Sequence, residues 1–155
     1  MSQTLQGILI FLHDLFTAIW VGGLLMLCLS VLPGLKKVFG HSAESEKAMD
    51  AITRQQRKFV FIAMPGLLVT GVLLARTSAG FNGLFNFTTS FGALLSVKHI
   101  LVFLMVIVTL VRAFGFRNLE KTKNLARKKT SLLLMHINAG LGVLVLLLSG
   151  LAAAV

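Results

Sequence analysis

Ionisable side chains are scarce inside the long apolar runs of this chain, and those few are the ones able to do chemistry. Such a group within a membrane span costs about 3 kcal/mol or more on insertion scales, so each needs a partner, a ligand or water. The first run carries His13 and Asp14 about six residues in from its start, and the third carries Lys98 and His99 about eight residues in from its own. Both runs enter from the same side, so at about 1.5 Å per residue the two pairs lie roughly 9–12 Å below one boundary. Arg76 ends the second run on that side. Neighbouring residues on a helix point about 100° apart, which lets His13 and His99 face inward while Asp14 and Lys98 meet beside them. Two imidazoles from facing helices can ligate iron or copper. Haem iron accepts axial histidine, and its acidic propionates need cations, for which Lys98 and Arg76 are available. The spacing predicts a site with His13 and His99 as ligands of haem iron or copper, haem b first and copper as the alternative. Against it stands a polar clasp in which the same side chains hold helices together without a cofactor.

His136 lies about four residues into the last run from the opposite end, too far to share an ion with His13 and His99. Met64 of the second run enters from that end at similar depth, and a His–Met pair is an axial set for haem. A second, weaker site at His136 and Met64 is the expectation, against an interfacial histidine and a space-filling methionine beside Pro65. His41 falls in a charged loop and reads as solvated. Trp20 sits near the middle of the first run and is followed by Gly22 and Gly23, which remove side chains where a helix or a flat macrocycle could approach. Gly140 and Gly142 are candidates for the surface they meet. Met26 and Cys28 are two apart, about 200° around a helix, and do not easily share one ion. No phosphate-binding loop, nucleophile elbow or zinc-protease motif occurs.

The elements that position these residues are membrane helices. The chain of 155 residues is 56% hydrophobic and 13% charged, with mean hydropathy +0.89, where soluble domains carry about 25% charged residues. Four runs are long enough to span a bilayer: about 7–32, ending at Pro33-Gly34, then 59–75, 91–114 and 132–154. The first is too long for a signal-peptide core and has no Lys or Arg before it, so it counts as a span. The net charge of +10 comes mostly from two loops, 34–58 and 116–130, with six Lys/Arg each, while 77–90 and both ends have none. That asymmetry assigns both loops to the cytoplasm and both termini to the outside, and it argues against nucleic acid as a partner. Residues 42–58 read as a short interfacial helix. The fold expected is all-α, a single four-helix transmembrane bundle over 1–155 in the inner or plasma membrane. The single cysteine, Cys28, excludes an internal disulfide.

His13 followed by Trp20, Val21, Gly22 and Gly23 resembles the start of the copper-resistance protein D family. The similarity continues through Leu68 to Gly71. It is strongest from Thr89 to Lys98, which looks like that family's Thr…Gly…Leu-Leu…Lys entry to a helix. Asn138 with Gly140 and Gly142 fits its last span. The likeness covers most of the chain in short, apolar motifs. HemJ-type protoporphyrinogen oxidases are a related group with a first-helix His and a later membrane Lys, matched here by His13 and Lys98, and are thought to carry haem. The Pro-Arg that follows their first-helix Trp has no counterpart here. The resemblance implies copper handling or haem-linked redox work.

Three functions are compatible with these residues. One is a b-type cytochrome moving electrons near the outer face, with a quinone or protein redox partner and haem-dependent oxidoreductase chemistry if an axial position is open. The second is a copper permease or copper-handling protein. The third is a membrane scaffold without a cofactor. The lipid bilayer is a partner in all three, and each is compatible with a homo-oligomer.

Overall fold

The computed structural model describes residues 2–40, 42–77, 87, 89–115 and 125–153. Among the described residues there are helices and no strand, and four helices are long and apolar enough to cross a membrane. They are α1 (Gln3–Phe39), α2 (Ala43–Thr77), α3 (Ser90–Leu110, continued by a π-turn over Val111–Gly115) and α4 (Leu125–Ala153). The all-α, multi-pass reading holds. His41 and the loops over 78–86 and 116–124 lie outside the described residues.

Local chemistry accounts for the helix ends. Ser2 caps α1, its hydroxyl accepting from Leu5 N–H at 3.3 Å. α1 ends at Gly40, whose φ of +60° suits a residue without Cβ and whose N–H reaches Lys36 O at 3.0 Å. Ser42 opens α2, its hydroxyl accepting from Ser45 N–H at 3.2 Å. Thr89 opens α3, accepting from Gly92 N–H at 3.0 Å.

Two sequence expectations need correction. Pro33-Gly34 does not stop the first helix, which runs on to Phe39. A proline ring inside an α-helix collides with the carbonyl four residues back. Here a π-turn over Leu27–Val31 precedes it, with Leu32 N–H bonded to Leu27 O five residues back. The wider turn shifts the carbonyl register just before the ring, so the helix continues. Nor do residues 42–58 form a separate interfacial helix: they are the first turns of α2, continuous with the span.

The chain divides into two compact units, Met1–Leu74 and Ala75–Val155. In the first, Trp20, Val21, Leu24, Leu27 and Leu32 of α1 are buried, as are Val60, Ala63 and Met64 of α2. Three- and four-residue steps, with one of five across the π-turn from Leu27 to Leu32, keep these residues on one face of each helix. In the second, α3 pairs with α4, burying Met105 and Ala113 on one and Met135, Ala139 and Val145 on the other. Phe11, Ile62 and Phe103 are 63%, 64% and 66% exposed, a surface suited to lipid.

Candidate functional site

His13 is half-buried on α1, with Nδ1 3.0 Å from the hydroxyl oxygen of Thr70 on α2. The Thr70 hydroxyl lies 2.7 Å from Gly66 O, and a carbonyl can only accept, so the one hydroxyl proton is donated there. Thr70 must therefore accept from His13, and the proton of the neutral imidazole sits on Nδ1. That leaves the lone pair on Nε2, the nitrogen that would meet a metal. Thr17, one turn on, donates to His13 O at 2.8 Å. Two glycines bring α2 close: the Phe16 ring occupies the space a Cβ would fill at Gly66, and a Cβ at Gly71 would stand 3.4 Å from His13 Cε1.

The other two described histidines are held in the same way by their own helices. His99 Nδ1–H donates to Leu95 O at 2.6 Å, and His136 Nδ1–H donates to Leu132 O at 2.8 Å. Each therefore also presents Nε2. His99 and Lys98 are half-buried on α3, Arg76 is exposed in the last turn of α2, and Asp14 is exposed on α1. Met64 is buried at 5% exposure, while His136 is exposed. His13 and Met64 belong to the first unit, and Arg76, Lys98, His99 and His136 to the second. Among the described residues no three His, Cys, Asp or Glu side chains converge, so a closed cage of the structural-zinc kind is absent from them.

Trp20 is 1% exposed, and its indole N–H, within the π-turn Ala18–Gly22, has no hydrogen-bond partner. Gly23 packs where a Cβ would strike the Gln56 amide, so its neighbour is α2, while a Cβ at Gly22 or Gly140 would meet nothing within 4 Å. In the second unit Asn138 Nδ2 donates to Thr109 Oγ1 at 2.9 Å, and Asn138 Oδ1 is buried without a donor.

Thr70 enters the sequence reading only inside the likeness over 68–71, with no role given to it, and Gly66 does not enter at all. Thr70 stands 57 residues from His13 and looks like any small residue of an apolar run. The available signal was its four-residue spacing from Gly66, which puts both on one face of α2.

Four helices long and apolar enough to cross a membrane define a multi-pass membrane protein. The family model for copper resistance protein D, CopD, matches residues 50–152. That is most of the chain, and the protein belongs to the CopD family. No curated protein and no solved structure matches it. The matched segment contains Met64, Thr70, Arg76, Lys98, His99 and His136, while His13 and Trp20 precede it.

Proposed function

We propose that the chain handles copper as cargo within the membrane, and that it takes the ion through imidazole Nε2 atoms, with His13 of α1 as a ligand in the first unit and His99 of α3 as a ligand in the second. The observation that carries this reading is the Gly66–Thr70–His13 chain of hydrogen bonds, in a protein of a copper-resistance family. Imidazole suits copper, and a hydrogen bond at the far ring nitrogen orients the ring and raises its basicity. Thr70 supplies that bond for His13, and Leu95 O supplies it for His99. A proton competes for the same lone pair, so copper binding weakens as pH falls.

Haem b is the second reading, because an axial histidine also binds iron through Nε2. It would bring electron transfer, whereas copper handling needs no redox partner. Purified protein loaded with copper and freed of unbound ion by gel filtration separates the two. Co-eluting copper without a Soret band supports copper handling. A Soret band that His13→Ala removes supports haem, and colourless protein without copper overturns both.

A further inference from the structure

Three contacts set the register of α1 against α2 in the first unit. His13 bonds Thr70, the Phe16 ring lies on Gly66, and Gly23 faces the Gln56 amide. The helices run antiparallel, and helical side chains lean toward their own N-terminus. Carried along at equal rise from the first two contacts, the α2 backbone at Gln56 lies within about one turn of Gly23, and Arg57 and Lys58 follow toward the α1 N-terminus. Cations do not rest in hydrocarbon, although their stems let the heads reach about one turn toward water. The hydrocarbon edge on this side thus falls near Met26 of α1. Counting from Gly7 to Met26 at about 1.5 Å per residue gives roughly 30 Å, the thickness of a bilayer core. The edge is several residues before Leu32, where the apolar run alone would put it. Leu27–Phe39 and the first turns of α2 then form a helical hairpin outside the hydrocarbon.

Charge is sorted along α2 at this edge. Glu44, Glu46 and Asp50 lie deeper in the hairpin, whereas Arg54, Arg57 and Lys58 lie at the edge. Arg54, Lys58, Ile62, Pro65 and Val69 follow one another at three- or four-residue steps and are all exposed, Ile62 at 64% and Val69 at 60%. One face of α2 is thus cationic at the membrane edge and apolar from there inward, the profile of an anionic phospholipid. We propose that this stripe binds an anionic phospholipid, its phosphate at Arg54 and Lys58 and an acyl chain along Ile62 and Val69.

The test uses the full chain in detergent, with retained lipid counted by native mass spectrometry. Phosphatidylglycerol should be retained over phosphatidylcholine, and Lys58→Gln should lower that preference about fivefold. Equal retention of the two lipids by the unaltered protein overturns the proposal, as does inorganic phosphate displacing the lipid at equal concentration. The edge itself is read separately by cysteine labelling in membranes, in a Cys28→Ser background. An impermeant maleimide applied on the basic-loop side should label Leu29→Cys and Val38→Cys but not Ile62→Cys. Protection of Leu29→Cys equal to that of Ile62→Cys would put the edge beyond Leu29 and remove the proposal's footing.

Discussion

The Thr70 hydroxyl accepts from His13 Nδ1 at 3.0 Å while donating to Gly66 O at 2.7 Å, so a backbone carbonyl of α2 decides which nitrogen of an α1 histidine carries the proton. The tautomer is built into the packing of the two helices, before any ion arrives.

Thr70→Val removes the acceptor but keeps the shape. Copper affinity should fall about 10- to 100-fold, the usual cost of losing such an outer partner. Thr70→Ser keeps the hydroxyl and should stay near the parent value. Competition against a chromophoric copper chelator reads both; equal affinity in Thr70→Val would detach Thr70 from the site.

Gly66→Ala puts a methyl where the Phe16 ring lies. Overpacking of this kind costs about 1–3 kcal/mol, so the variant should unfold at lower denaturant or temperature. Phe16→Leu in the same chain should recover part of the loss. No change in the midpoint would mean that the ring moves aside freely.

Glu44 opens α2, where its own backbone N–H and then the Ser42 hydroxyl hold its carboxyl below the ordinary 4.5. A lowered carboxylate stabilises the fold above its unfolded value, and that contribution disappears as pH falls through the lower folded value. Protection of the Ala43–Lys47 amides, taken as their exchange rate relative to the intrinsic rate at each pH, should fall as pH drops below about 4.5, and Glu44→Gln should flatten this dependence. A flat profile in the parent protein would count against the cap.

The charge asymmetry predicts that the basic segments 34–58 and 116–130 face the cytoplasm and both termini face outward. Reporter fusions at either terminus should be active only outside. A C-terminal reporter active in the cytoplasm would invert the orientation and move the His13 layer to the other leaflet.

The four spans were legible in the sequence because membrane helices need long apolar runs, and these interrupt an otherwise basic chain. Their ends were less so. Pro33 looked like a stop because the π-turn that accommodates it leaves no mark in the order of residues, and the charged start of α2 hid its continuity with the span. His13 stood out as an ionisable group in lipid. Its partner did not, since a threonine of α2 becomes a tautomer switch only when two helices are packed. The register of Gln56 against Gly23, which moves the membrane edge, is likewise a property of the pair.

Copper affinity of the His13→Ala variant, measured by chelator competition on protein in detergent, tests the central claim most directly. His13 lies before the segment that matches the family, so its role stands on the geometry of α1 and α2 alone. The account predicts that His13→Ala weakens copper binding at least as much as Thr70→Val does, and that His41→Ala leaves it unchanged. His13→Ala protein that binds copper as tightly as the parent chain would contradict it.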